Sequence, residues 1–199
     1  CDLQRSFKGN GTGKYMSGGG DNGDKVIQLP EKPWIPSGLI EELKSKLSKK
    51  EAPFLRHLGK NLELIWIDKN ESRLGMTRFE CNVNELFRRR KLRVSCGPVT
   101  IGMNPLLIDD LALYRHTLVH ELLHASGLLD HGSIHADFAK EIAPSPKLVD
   151  SKVLQEMRDR VLEKLPERQW ICGSCGYTWD RKRVSMPIRC PKCAMPFKS

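Results

Sequence analysis

The sequence predicts an α+β fold, in which a small antiparallel sheet packs on a central helix and a small unit follows at the C-terminus. Three observations predict it. Stretches rich in β-branched and other apolar residues occur at residues 62–67, about 75–83 and 99–103, which is typical of short strands. Apolar residues recur at helical spacing between about 109 and 126. Four cysteines are grouped in two C-x-x-C pairs after residue 166, which indicates a separate unit held by a metal ion.

Length and composition limit the possible classes of protein. A chain of 199 residues with 39% hydrophobic residues can bury one modest core and an appendage, but not two large domains. The net charge of +9 favours a polyanionic partner such as a nucleic acid, although solubility alone also explains such a charge. We expect no membrane association, because the apolar runs are too short to span a bilayer and the N-terminus has no apolar signal-peptide core.

The composition divides the chain into three parts. Residues 1–36 are rich in glycine and proline and poor in aliphatic side chains, so we expect a disordered N-terminal segment. Residues 37–165 have the apolar periodicity of a folded domain, which begins with a helix and ends with a helix over about 150–165. Residues 166–199 form the C-terminal unit with the cysteine pairs.

A run of basic residues lies between the second and third predicted strands. Five of the six residues at 88–93 are lysine or arginine. We predict that this run lies on a hairpin or a strand edge, where its charges either protect the edge from aggregation or contact phosphates. The candidate phosphate contacts are Arg88, Arg89, Arg90, Lys91 and Arg93.

The most informative motif is H-E-x-x-H, which lies in the predicted helix over 109–126. Residues four apart lie on one face of a helix, so His120 and His124 can bind one metal ion. Glu121 lies beside them and can act as general base toward a zinc-polarised water. The motif therefore predicts a zincin-like hydrolase with a catalytic Zn²⁺, although three matching residues also occur by chance.

The two faces of this helix differ in composition, and Gly127 predicts where the helix ends. We expect one face to be buried, because it carries the apolar residues Leu111, Tyr114, Leu118, Leu122 and Ala125. The third protein ligand of the zinc should follow Gly127. A short helix is predicted from about residue 130, and either His131 or His135 on that helix could face the metal.

The C-terminal cysteines have the spacing of a structural zinc site. Two C-x-x-C pairs separated by 14 residues are typical of a tetrahedral zinc ribbon, in which the metal supplies the folding energy. The expected ligands are Cys172, Cys175, Cys190 and Cys193. Reduced thiols indicate a reducing compartment, which is either the cytoplasm or the nucleus.

Aromatic and basic residues are interleaved in the same unit. The aromatic side chains either stack on unpaired bases or form the small apolar core of the ribbon, and they are Trp170, Tyr177, Trp179 and Phe197. The basic residues beside them are candidate nucleic-acid contacts, namely Arg181, Lys182 and Arg183. We therefore predict that the chain binds DNA with single-stranded character.

Residues from about 38 to 195 resemble the SprT-like (Spartan-type) zinc metalloproteases. The resemblance rests on the order of the sheet and helices, on the segments 100–105 and 117–125, on the His-Gly pair that follows, and on the C-terminal cysteines. It implies a zinc-dependent protease of the cytosol or nucleus. Such a protease is activated by DNA and cleaves proteins that are crosslinked to DNA.

The resemblance also implies the roles of individual residues. His120 and His124 would be zinc ligands, Glu121 the general base, and the third ligand the histidine of a His-Gly-x-x-aromatic segment. Gly132 follows His131 as in the family, but residue 135 is a histidine where the family has an aromatic residue. His131 is therefore the expected third ligand, with His135 as the alternative.

Two other functions fit the sequence. Gly127 and Asp130 match the H-E-x-x-H-x-x-G-x-x-D spacing of some metzincin-like proteases, in which Asp130 would be the third ligand, although no downstream methionine turn is evident. The chain could also be a DNA-binding zinc-ribbon protein without catalytic activity. Glu121 argues against that function, because a purely structural metal site does not need a general base.

Overall fold

The computed structural model describes residues 29–166 and 168–197. Residues 1–28, which form most of the segment expected to be disordered, lie outside the described residues. The described α-helices are α1 (Leu39–Lys46), α2 (Leu58–Asn61), α3 (Val83–Leu92), α4 (Leu111–Ala125), α5 (Ser133–Ile142) and α6 (Lys152–Glu163). The strands are β1 (Leu62–Trp66), β2 (Gly75–Phe79), β3 (Val99–Met103), β4 (Gln169–Ile171) and β5 (Thr178–Asp180). The prediction of an α+β fold with a small sheet is therefore confirmed.

The main sheet is mixed, so the prediction of an antiparallel sheet was wrong. The strand order is β1-β3-β2, with β3 parallel to β1 and antiparallel to β2. The chain passes from β1 to the far edge at β2 and then returns through α3 to the middle of the sheet. A strand that enters between two oppositely directed strands must run parallel to one of them. All five residues of β3 are buried, which agrees with its central position.

Helix α4 is the central helix, and it packs against β2, β3 and α5. Gly127 follows its end with a φ of 108°, as predicted for a helix stop. Four of the five residues expected on the buried face are buried, namely Tyr114, Leu118, Leu122 and Ala125, but the expectation of a single buried face was wrong in two respects. Leu111 is 63% exposed, and residues around most of the helix are buried, including Leu113, Tyr114, Leu118, Val119, Leu122 and Leu123. No helix of the described residues is long and apolar enough to cross a membrane.

The basic run belongs to helix α3, so the prediction of a hairpin or strand edge was wrong. The side chain of Asn82 caps the helix by accepting a hydrogen bond from the backbone N–H of Glu85 at 2.9 Å. Glu85 in turn forms ion pairs of 2.7 Å with Arg88 and with Arg89, one turn further along. These hydrogen-bonded ion pairs lower the pKa of Glu85 to about 2. The cap and the ion pairs both favour a helix over a strand.

The helix after the H-E-x-x-H motif begins later than predicted. Helix α5 starts at Ser133, with Gly132 as its N-cap. His131 therefore lies in the loop between α4 and α5, whereas His135 lies on the helix, where it is buried. The two candidate ligands consequently approach α4 from different directions.

A buried side chain connects the sheet to the loop that leads into β2. Asn104 follows β3 and is 0% exposed. Its Nδ2 atom lies 3.2 Å from the carbonyl oxygen of Arg73 and 3.5 Å from those of Asp68 and Lys69. Its Oδ1 atom accepts a hydrogen bond from the backbone N–H of Leu106 at 3.0 Å. Asn104 thereby fixes the loop before β2 relative to the turn that leads into α4.

We expect Asn104→Ala to lower the free energy of unfolding of the zinc-loaded protein by roughly 2–3 kcal/mol, because it removes a fully buried amide together with its hydrogen bonds to the backbone. Denaturant titration would measure this loss. Asn70→Ala is the matched control, since Asn70 is exposed in the same loop and should change the stability by less than about 0.5 kcal/mol. A loss below about 1 kcal/mol for Asn104→Ala would contradict the role given to this side chain.

Candidate metal centres

Three histidine side chains meet beside α4. The Nε2 atom of His131 lies 3.1 Å from that of His120 and 3.0 Å from that of His124. The Nε2 atoms of His120 and His124 are 3.3 Å apart. Nitrogen ligands at about 2.0–2.1 Å from a tetrahedral zinc ion lie about 3.3–3.4 Å from one another. This histidine triangle, formed by His120, His124 and His131, therefore has a spacing that could hold a metal ion.

His120 and His124 on α4 have the neutral protonation state that binds a metal ion. The Nδ1 atom of His124 lies 2.8 Å from the carbonyl oxygen of Leu128, which can only accept, so Nδ1 carries the proton and Nε2 keeps its lone pair. Burial, followed by the neighbouring imidazole of His135 and then by the others, lowers the pKa of His120 to about 4. Burial also lowers the pKa of His124. Both rings are therefore neutral near pH 7, as metal binding requires.

His135 belongs to the same cluster but has a different position. One ligand atom from each of His120, His124 and His135 lies within 4.8 Å of the others, so these three residues also form a possible metal group. However, the Nε2 atom of His135 lies 3.3 Å from the backbone oxygen of His120, to which it can donate a hydrogen bond. Its ring stacks on His124 with centroids 4.4 Å apart. The shorter separations in the histidine triangle favour His131, and the triangle contains no atom of Asp130.

Glu121 is a buried carboxylate on the same helix. It is 6% exposed, and its Oε2 atom accepts a hydrogen bond of 2.7 Å from the hydroxyl of Thr77 on β2. Burial raises the pKa of Glu121, and the hydrogen bond from Thr77 partly counters that rise. A raised pKa makes a carboxylate a better proton acceptor. The position and the environment of Glu121 therefore suit a general base.

Strand β2 approaches α4 so closely that one position has room only for glycine. A Cβ atom on Gly75 would lie 2.7 Å from Oε1 of Glu121 and 2.7 Å from Cγ2 of Thr117. Both distances are shorter than real contacts of a Cβ atom. Glycine at this position therefore allows the strand to lie directly against the carboxylate.

A cleft of about 480 Å³ opens onto these groups. It is lined by β2, by the histidine triangle and Glu121, and by Arg73 and Leu129. Within the described residues β2 pairs only with β3, so its other edge has free backbone groups. The cleft therefore combines a possible metal site, a proton acceptor and an open strand edge.

The four cysteines predicted as ligands form a second candidate centre. Their Sγ atoms lie within 4.8 Å of one another, with 3.7 Å between Cys172 and Cys193 and 3.8 Å between Cys175 and Cys190. A tetrahedral zinc ion with sulfur ligands at about 2.3 Å places the sulfurs about 3.8 Å apart. The antiparallel strands β4 and β5 flank the first pair. None of the cysteines of the described residues forms a disulfide, and these four could hold a metal ion.

Aromatic side chains line one face of the C-terminal unit. Tyr177 and Trp179 stack with ring centroids 5.9 Å apart and an angle of 17° between the rings. The guanidinium of Arg181 lies 4.3 Å from the ring centroid of Trp170. A cavity of about 960 Å³ lies on this face, and the basic residues that line it are Lys182, Arg183 and Arg189. The cavity therefore combines flat aromatic surfaces with positive charge.

The basic residues at 88–93 differ in the contacts that they make within the fold. Glu85 forms ion pairs with two of the five, as described above. The Nε atom of Arg90 donates a hydrogen bond of 2.7 Å to the backbone oxygen of Gly127, at the end of α4. The exposed members of the run are Arg88, Arg90, Lys91 and Arg93. Some of the basic side chains of this run are therefore already engaged in ion pairs or hydrogen bonds within the fold.

Two residues of the site were not predicted from the sequence, namely Gly75 and Thr77. They lie two positions apart on one strand, so they face the same side. A signal was present, because glycine inside a strand often marks the close approach of another group. The sequence could not identify Glu121 as the group that approaches this strand, since Glu121 lies 44 residues after Thr77.

Comparisons of the chain with protein-family models, curated proteins and solved structures found no match. The likeness to SprT-like proteases therefore rests on the residues and spacings quoted above. Any function has to be inferred from the side chains of the two candidate centres.

Substitution of the two candidate histidines should separate their roles. We expect His131→Ala to reduce the zinc content from about two ions to about one per chain, because a site that is left with two protein ligands binds zinc weakly. His135→Ala should retain about two ions, since the triangle remains complete. Metal analysis after gel filtration would measure both.

His57→Ala is the control for these variants, because His57 lies outside both centres and should not change the zinc content. Loss of zinc in His135→Ala but not in His131→Ala would reverse the assignment. Retention of zinc in both variants would leave Asp130 as the third ligand.

Proposed function

We propose that the chain is a zinc-dependent endopeptidase of the SprT-like type, which cleaves proteins crosslinked to DNA and is stimulated by DNA. The observation that supports the protease most directly is the histidine triangle beside the buried carboxylate of Glu121, both open to one cleft. Three protein ligands leave a fourth position for water, as in catalytic zinc sites. A general base next to such a site is the arrangement used for zinc-assisted hydrolysis.

The residues of the chain have distinct tasks in this mechanism. Zinc bound by the three histidines would supply a Lewis acid for the scissile carbonyl and the attacking water. Glu121 accepts a proton from that water as the oxygen attacks the carbonyl carbon, and then delivers the proton to the leaving amine. The carbonyl of Leu128 holds the ring of His124 in the orientation that exposes Nε2.

The edge of β2 supports a polypeptide as the substrate. An extended peptide can pair with the free backbone groups of an edge strand, which aligns it without recognition of particular side chains. Because β2 borders the cleft that contains the histidine triangle, such pairing would bring a peptide bond to the reactive groups. This arrangement suits a protease that acts on many different proteins.

We expect Glu121→Gln to keep about two zinc ions per chain while its cleavage rate falls at least about 100-fold, because coordination remains and proton transfer does not. The assay would use the zinc-loaded protein and a DNA-binding protein as substrate. Glu80→Gln is the matched control, since Glu80 is exposed just after β2 and should leave the rate unchanged. A Glu121→Gln variant that cuts as fast as the parent would refute the mechanism.

We assign DNA binding mainly to the C-terminal unit. Its cavity has stacked aromatic rings and basic side chains, which together suit unpaired bases and their phosphates. Helix α3 and its C-cap residue would add a weaker contact through the side chains of Lys91 and Arg93, which are exposed. Reduced cysteines agree with a location in the cytoplasm or nucleus, where DNA-bound substrates occur.

We expect single-stranded DNA to stimulate cleavage of a DNA-binding protein, and the stimulation to fall steeply as salt rises, since each neutralised phosphate releases counterions. The double variant Lys182→Glu/Arg183→Glu should lose most of the stimulation but keep both zinc ions. Protease assays across a salt series would measure this effect. Lys49→Glu/Lys50→Glu makes the same change of charge on an exposed segment of the other domain and should behave like the parent.

The results of these assays also distinguish the alternative functions. Cleavage that is indifferent to DNA and to the ribbon variants would favour a general metalloprotease of the metzincin-like type. Binding of DNA without any cleavage by the zinc-loaded protein would favour a DNA-binding zinc-ribbon protein without catalytic activity.

A further inference from the structure

Thr77 connects the edge strand β2 to the carboxylate of Glu121. Its hydroxyl oxygen lies 2.7 Å from Oε2 of Glu121 and 3.1 Å from the backbone oxygen of the same residue. A hydroxyl has one proton to donate, so it serves one of these acceptors at a time. The carboxylate is the closer and the charged acceptor, and hydrogen bonds to charged groups are the stronger ones.

The two carboxylate oxygens contact β2 in different ways. Oε2 accepts the hydrogen bond from Thr77, whereas Oε1 lies in the space that a side chain at Gly75 would occupy. Residues 75 and 77 face the same side of the strand. One short stretch of β2 thus limits the positions of both oxygens.

We propose that Thr77 is a positioning residue for the reaction, because its hydrogen bond to Oε2 restricts the carboxylate to orientations in which it can accept the proton of the attacking water. This inference rests on the protease function proposed for the same site. The terminal torsion of a glutamate is broad, so an unrestrained carboxylate spends much of its time in unproductive orientations. A neutral hydroxyl restricts that torsion without adding a positive charge that would weaken the base.

The location of Thr77 on β2 links substrate docking to the orientation of the base. The backbone edge of β2 is proposed to pair with the substrate, while the side chain of Thr77 points to α4. A peptide that pairs with this edge would lie along the strand that carries the hydroxyl. We therefore expect the side chain of Thr77 to affect kcat, whereas substrate binding is assigned to the backbone groups of the strand.

Thr77→Val keeps the shape of the side chain and removes the donor. On zinc-loaded protein we expect kcat to fall roughly tenfold, with KM within about twofold of the parent. Thr77→Ser restores the donor and should return kcat to within about threefold of the parent. Thr117→Val is the matched control on α4, one turn before Glu121, and should change kcat by less than about twofold. A parent-like kcat in Thr77→Val, or no rescue by serine, overturns the inference.

A thermodynamic cycle tests the contact independently of activity. Unfolding midpoints of zinc-loaded protein would be compared for the parent, Thr77→Val, Glu121→Ala and the double variant. We expect the shift caused by Thr77→Val to shrink by at least about half when Glu121 is absent, because the two residues are in contact. Additive shifts overturn the inference. A parent that cleaves no protein would refute the proposed protease function, and the cycle would then decide by itself whether Thr77 holds Glu121.

Discussion

The part of the molecule that carries the histidine triangle depends on the contact between α4 and the edge strand β2. Helix α4 carries His120, Glu121 and His124, and most of its residues are buried. A carboxylate that is removed from water destabilises the fold unless it has a hydrogen-bond partner, which Thr77 supplies. The helix cannot rotate without breaking that bond and unpacking β2, whose Gly75 leaves no spare room. The positions of the two helical histidines are therefore determined by the packing of the core.

Much of the fold could be predicted because local sequence signals agreed with the tertiary structure. The strand segments and the helix with the H-E-x-x-H motif have clear periodicities, and Gly127 marks the end of that helix. The grouping of the four cysteines followed from their spacing alone, since two C-x-x-C pairs need little more than a hairpin to meet. The proximity of His120 and His124 likewise follows from the pitch of a helix.

The remaining features depend on signals that compete or that are distant in sequence. The strong basic charge of residues 88–93 led to the prediction of a strand edge, and the helix was missed. A local helix signal was nevertheless present in the cap at Asn82 and the acidic Glu85 three residues later. The direction of β3 depends on where the chain re-enters the sheet, which no local pattern encodes. The choice between His131 and His135 depends on where α5 begins, and helix boundaries are the least certain part of a sequence-based prediction.

Under the proposed function, Gly75 would distinguish active from inactive chains that share the same helical motif. Any residue other than glycine would place a Cβ atom 2.7 Å from Oε1 of Glu121, so either the carboxylate or the strand would have to shift. In the proposed mechanism, the short string Gly-x-Thr on the edge strand before an H-E-x-x-H helix would mark a glutamate that is held by the strand. A chain that kept the histidines and lost this glycine could still bind zinc, but the contact between its glutamate and the strand would change.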